Sequence, residues 1–178
     1  RLKQTTPWAK RGHEVAWDQF QLPDSAPALI TKAANHPALQ FAETADGLRI
    51  MGGNFELQFD PKQGALTSWR AHGTELIESP LRPDFWRAPV DNDRGRNMAK
   101  SQGIWRTAHH AASVTSQHWD AAARTVHYVH SLPNVNARWE TTYTISSAGT
   151  VSVAAKFIPS KLDLPKLPRL GMQMILPP

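Results

Sequence analysis

From Leu48 onward, hydrophobic and polar residues alternate with a period of two over most of the chain. Leu48 and Ile50 alternate with Arg49 and Met51 until Gly52-Gly53 breaks the run. Phe55, Leu57 and Phe59 then share one face, with Glu56 and Gln58 on the other. A two-residue period is that of a β-strand, whose successive side chains point to opposite sides. Asp60-Pro61-Lys62-Gln63-Gly64 supplies a turn, because proline presets one backbone angle and glycine accepts angles that other residues avoid. Residues 65–71 read as the return strand, His72-Gly73 as the next turn, and Glu75-Leu76-Ile77 as a short strand. Residues 113–119 and 124–130 read as two strands joined across Asp120-Ala121-Ala122-Ala123. Trp139, Thr141, Tyr143 and Ile145 alternate with Glu140, Thr142 and Thr144, and after Ser146-Ser147-Ala148-Gly149 the same pattern returns in Val151, Val153, Ala155 and Phe157. Residues 161–168 mix leucine and proline as an irregular loop, and residues 170–176 form a last strand. Hairpin follows hairpin, so an all-β antiparallel fold is predicted. No helix longer than two or three turns is expected, although residues 91–102 have room for one short turn.

Two stretches fall outside this pattern. The first is residues 80–105, opening Pro-Leu-Arg-Pro-Asp-Phe-Trp-Arg-Ala-Pro-Val-Asp-Asn-Asp-Arg-Gly. Pro80, Pro83 and Pro89 restrict the backbone, which predicts ordered, non-helical chain. Phe85 and Trp86 offer an apolar anchor, and Arg82, Asp84 and Arg87 offer charges able to pair. Asp91, Asn92 and Asp93 are short polar acceptors, and Gly95 is free to take backbone angles closed to other residues. A rigid base presenting a mobile polar edge fits these features, as does a well-packed crossover loop. The second stretch is residues 1–44. His13, Val15, Trp17 and Gln19 alternate with Glu14, Ala16, Asp18 and Phe20, a fair strand, after which proline-punctuated residues 23–44 read as a linker.

Composition narrows the function classes. The chain has 178 residues, 40% hydrophobic and 20% charged, enough apolar material for a core and no disorder signature. Its formal net charge is +5, but lysine and arginine are scattered, which argues against nucleic acid as a partner. No cysteine is present, so neither disulfides nor thiolate metal sites are available. No apolar run approaches the roughly 20 residues of a membrane-spanning helix. The first residue is not methionine and the last follows directly on an apolar strand, so an excised piece of a longer chain is expected. A sheet cut part-way would leave strand edges and one inner face uncovered, which predicts self-association or non-native pairing.

Candidate chemistry is sparse. Hydrolysis of a glycosidic bond with retention needs two carboxyl groups about 5–5.5 Å apart. Asp84, Asp91 and Asp93, with Glu75 and Glu78 nearby in sequence, are the carboxylates to weigh. An Asp-x-Asp in a glycine-bearing loop is more commonly a turn-stabilising acceptor pair. Asp91, Asn92 and Asp93 are also oxygen donors of the kind that hold calcium or sodium, without the later glutamate of a calcium loop. His109-His110 and His127-x-x-His130 lack the helical spacing of a metal site and read as surface or core residues.

The 16-residue run from Pro80 to Gly95 resembles the signature that opens the C-terminal domain of the large bacterial β-galactosidases of glycoside hydrolase family 2. Gly-His-Glu-Val-Ala-Trp-Asp-Gln-Phe-Gln-Leu-Pro, residues 12–23, is similar to the closing strand of the immunoglobulin-like domain preceding it. The resemblance implies a stray immunoglobulin-like strand over residues 1–22, a linker over 23–44, and over 45–178 the N-terminal half of an antiparallel β-super-sandwich similar to galactose mutarotase. It implies a bacterial enzyme, cytoplasmic or periplasmic, that hydrolyses terminal non-reducing β-D-galactosides with retention, using carboxylates of a separate barrel. No catalytic residue, cofactor or metal is then expected here, with magnesium and sodium bound elsewhere in the whole protein. The expected partners are the catalytic barrel and immunoglobulin-like domain of that chain, the galactoside itself, and further copies in a homo-oligomer. The matching positions make Asp91, Asn92, Asp93, Gly95, Arg96, Asn97 and Met98 an active-site rim loop. Gly95 is its hinge, residues 96–99 its moving part, and Trp105 the aromatic that re-anchors it. A different class of reading is a free-standing carbohydrate-binding sandwich using Trp69, Trp86, Trp105, Trp119 or Trp139 as stacking platforms.

Overall fold

The computed structural model describes residues 1–17, 36–161 and 163–178. It divides into two compact units, residues 1–33 and 34–178. In the first, backbone N–H groups of Leu2 and Gly12 donate to the carbonyls of His13 (2.9 Å) and Leu2 (3.0 Å), and Trp8 meets His13 edge-on with ring centroids 5.5 Å apart. Residues 13–17 form no ladder. The rest of the anticipated strand, Asp18, Gln19 and Phe20, and most of the anticipated linker lie outside the described residues.

Among its described residues the second unit contains eleven strands: β1 (Gln40–Thr44), β2 (Gly47–Met51), β3 (Phe55–Asp60), β4 (Ala65–Ala71), β5 (Thr74–Glu75), β6 (Ser79–Asp84), β7 (Ser113–Asp120), β8 (Thr125–Leu132), β9 (Ala137–Ile145), β10 (Val151–Pro159) and β11 (Gly171–Ile175). They form a five-stranded sheet in the order β1-β2-β3-β4-β5, a four-stranded sheet β10-β9-β8-β7, and the pair β11-β6. Every pairing is antiparallel. The all-β fold expected from the alternation is present, and its two larger sheets pack as a sandwich. Leu48, Ile50, Leu57, Phe59 and Leu66 of the first bury against Val126, Tyr128, Tyr143 and Ile145 of the second. Phe59 meets Tyr143 edge-on, with centroids 5.2 Å apart, at the middle of this interface. Along β8 and β9 every second residue is buried, so the pleat alone selects the core.

Two strands were not legible. Residues 40–44, expected as linker, form β1 and pair with β2 across the turn at Ala45-Asp46. Residues 79–84, expected as constrained loop, form β6 against β11. Farther along the chain, the non-helical structure expected over residues 80–105 gives way after Val90 to helical turns, more of them than the one short turn for which residues 91–102 have room. Two short helices, α1 (Asp91–Gly95) and α2 (Met98–Ser101), are followed by a 3-10 turn, Gly103–Thr107. One glycine conformation is indispensable. Gly64, at φ +61°, closes the β3–β4 hairpin so near the opposing sheet that a Cβ added there would overlap His130 Nε2. The second core cluster gathers Phe85, Trp105, Ala108, Leu132, Val135, Ala137 and Trp139 where these helical turns meet the four-stranded sheet. At one edge of that sheet, β10 pairs only with β9 among the described residues, and Ser152 through Lys156 are exposed.

Candidate functional site

The run from Pro80 to Trp105 is built on one aromatic hub. Phe85 is fully buried and lies 5.6 Å from Trp105, 5.6 Å from Trp139 and 5.4 Å from Phe157, centroid to centroid, in tilted and edge-on arrangements. Such geometry places ring edges against ring faces, each pair contributing about 0.5–1.5 kcal/mol beyond area burial. Trp105, also fully buried, donates its indole N–H to the carbonyl of Pro165 at 3.0 Å.

Two ion pairs then fix the chain on either side of the hub. Asp84 accepts from the Trp86 backbone N–H at 3.1 Å and pairs with Arg169 Nη1 at 3.1 Å. Arg87 grips Asp93 with both terminal nitrogens, Nη2 to Oδ1 at 3.0 Å, while its Nε donates to the Pro168 carbonyl at 3.2 Å. This fork-on-fork geometry suits arginine and not lysine. Asp93 also accepts from the Val90 N–H at 3.0 Å, capping the first turn of α1, to which the valine side chain returns nothing. The Arg87 guanidinium, helped by that N–H, holds the Asp93 carboxyl below the usual carboxylate range. Residues 165–169 thus form a strap: the Pro165 and Pro168 carbonyls accept from Trp105 and Arg87, and Arg169 pairs with Asp84.

Of the anticipated loop residues, the structure separates anchors from surface. Asp93 is held by Arg87, and Met98 is buried. Asp91, Asn92, Gly95, Arg96 and Asn97 are exposed. Asp91 faces only Arg94, at 3.6 Å, with its side chain 98% exposed. Gly95 does not carry the special backbone angle that its type suggested. It sits inside α1, and the left-handed residue is Asn97, at φ 54°, which turns the chain from α1 into α2. Asparagine tolerates that conformation better than most residues because its side chain bonds locally.

This arrangement suits neither a metal nor a carboxylate pair. Both Asp93 oxygens are taken by Arg87 and Val90, so Asp91, Asn92 and Asp93 do not fit a hard cation. Among the described residues, no group of three or more His, Asp or Glu side chains is placed to hold one. Asp84 is engaged by Arg169, and Glu75 by Ser68 and the N–H groups of Trp69, Leu76 and Ile77. Sequence reasoning missed the strap residues Pro165, Pro168 and Arg169. The alternation of leucine and proline was their only signal.

The family model described as "Beta galactosidase small chain" matches residues 51–178. The chain belongs to the β-galactosidase small-chain family. The clamped turn and the strap therefore lie inside the small-chain region, while "Beta-galactosidase, domain 4" matches residues 1–23. The chain is 37% identical over 176 residues to a β-galactosidase of Priestia megaterium, covering 97% of this chain and 17% of that protein. It is 31% identical to one of Halalkalibacterium halodurans, covering 99% and 18%, and 30% identical to one of Streptococcus thermophilus, covering 98% and 17%. It spans under a fifth of the length of these relatives.

Proposed function

We propose that this chain is a non-catalytic part of a retaining β-galactosidase, acting on terminal non-reducing β-D-galactosides whose bond is broken by carboxylates elsewhere in the enzyme. The observation that carries this reading is the engagement of three of the five candidate carboxylates: Asp84 and Asp93 are tied up by arginines and Glu75 by a cage of donors, while Asp91 and Glu78 lie exposed on the surface. None of the three is free to protonate a leaving group or attack a sugar. The part left for this segment is to complete the active-site rim with Asp91, Asn92, Asp93, Gly95, Arg96, Asn97 and Met98 and to support assembly with the rest of its chain. The clamp limits any gating motion of that rim. With Asp93 fixed to Arg87 and Met98 sunk in the core, the free joint is Arg96-Asn97, immediately after the glycine that the resemblance makes the hinge.

The experiment is complementation. A β-galactosidase lacking the corresponding segment is mixed with this chain, and hydrolysis of a chromogenic β-galactoside is compared with that of each component alone. Activity arising only on mixing supports the reading. Hydrolysis by this chain alone refutes it. The alternative of tryptophan stacking platforms draws less support: Trp105 and Trp139 are buried, and Trp119 is stacked on Phe41, centroids 5.7 Å apart, with its N–H donated to Glu43.

A further inference from the structure

A concavity of about 490 Å³ lies among the β3–β4 turn, β6, the chain after residues 103–107, and the β8–β9 pair. Its lining includes Lys62, Arg82, His109, His110, His130 and Trp139, and no carboxylate. Three buried ring nitrogens of this lining lack a partner: His109 Nδ1, His130 Nδ1 and Trp139 Nε1. His130 and Trp139 stand directly opposite each other on β8 and β9, only 8% and 3% exposed. An indole N–H can only donate, so at Trp139 the cleft presents a buried donor with no acceptor, a costly state for a native protein to keep.

The histidine chemistry has the same sense. His130 Nε2 lies 3.0 Å from the Gln63 carbonyl. That oxygen can only accept, so Nε2 carries the hydrogen, and Nδ1 becomes a second donor when the ring is protonated. At the exposed rim, Lys62 and Arg82 have no ion-pair partner among the described residues. Asp84, the carboxylate felt by His109 from β6, is already paired with Arg169. The volume far exceeds the roughly 30 Å³ share of one water molecule. A metal cation would meet only positive charge at the rim.

We propose that this cleft binds a small oxyanion, a carboxylate or a phosphate, whose oxygens accept from Trp139 Nε1, from the protonated His130 ring and from Arg82 at the rim. Inorganic phosphate is titrated into the isotope-labelled 178-residue chain while indole and imidazole nitrogens are followed by NMR. Sodium acetate forms a parallel arm that separates carboxylate from phosphate preference, and sodium chloride at matched ionic strength is the blank. The expected result is a saturable shift of the Trp139 indole resonance. Arg82→Gln, at an exposed position, should keep the dispersed spectrum and weaken binding about tenfold. Trp139→Phe removes the buried donor and should weaken it comparably. The proposal is overturned if neither oxyanion moves the Trp139 indole beyond the chloride blank. It is equally overturned if the Arg82→Gln chain binds as tightly as the unsubstituted one.

Discussion

Replacing Gly64 by alanine tests how the two sheets are locked together. The added methyl collides twice over. Its carbon would overlap His130 Nε2 and sit 2.7 Å from both His130 Cε1 and Val114 Cγ2, all on the opposing sheet or its edge. The backbone at φ +61° is one that alanine adopts at a cost of about 1–2 kcal/mol. Displacing His130 would also break its bond to the Gln63 carbonyl, and a buried group left unpaired costs about 1–3 kcal/mol more. The sum is about 2–5 kcal/mol. Gly73 is the internal control, since it has φ +81° but nothing within 4 Å of its added carbon. Gly73→Ala should therefore cost only the backbone part, about 1–2 kcal/mol. Urea unfolding followed by tryptophan fluorescence gives both values, provided the slopes agree. In a His130→Ala background the cost of Gly64→Ala should shrink, because its two nearest obstacles are gone. Equal losses for the two glycines, or no shrinkage in that background, would refute the steric reasoning.

Three further outcomes are expected. Phe85→Ala, at the fully buried hub, should lower unfolding free energy by about 3–5 kcal/mol, measured in the same urea series. Asp93→Asn should release the turn from Arg87, so trypsin should cut after Arg94 or Arg96 faster than in the unsubstituted chain; an unchanged rate would deny the clamp its role. Glu75 gives a pH dependence: burial alone would raise its carboxyl, but bonds from Ser68, Trp69, Ile77 and Arg70 outweigh that and hold it below its ordinary 4.5. A depressed carboxyl contributes stability that is complete above its unfolded value and is lost as pH falls through the folded one. Stability should thus decline in acid, and Glu75→Gln should flatten the decline; an unaltered profile counts against this assignment.

The sandwich was legible because its inner strands obey one period. In β8 and β9, a residue's place in the alternation is nearly enough to tell whether it is buried. The turns were legible for the same local reason, with Pro61 and Gly64 marking the first hairpin. β6 was not, because Ser-Pro-Leu-Arg-Pro-Asp carries two residues that cannot donate to a ladder, and its partner β11 begins 87 residues after Asp84, at Gly171. β1 was hidden by its setting in polar, proline-broken chain, with Phe41 its one large apolar residue. The helical turns after Val90 owe little to propensity. They depend on the Asp93 cap, the left-handed Asn97 and burial of Met98 and Trp105 against distant strands. Residue types placed the anchor correctly at Phe85, but chose Gly95 over Asn97 as the special backbone position. Glycine permits an unusual angle without requiring one.

The strap has a consequence for the order of assembly. Trp105 waits 60 residues for Pro165, and Arg87 waits 81 for Pro168. During synthesis the hairpins of the five-stranded sheet can close within a few residues of emerging. The signature run, by contrast, leaves the ribosome long before its fasteners exist. Closing such long loops carries an entropic penalty that short hairpins avoid. Phe85 and Trp105 thus lack their fasteners while the chain is growing, and the interval before residues 165–169 arrive is when a chaperone, or a misplaced neighbour, would find them.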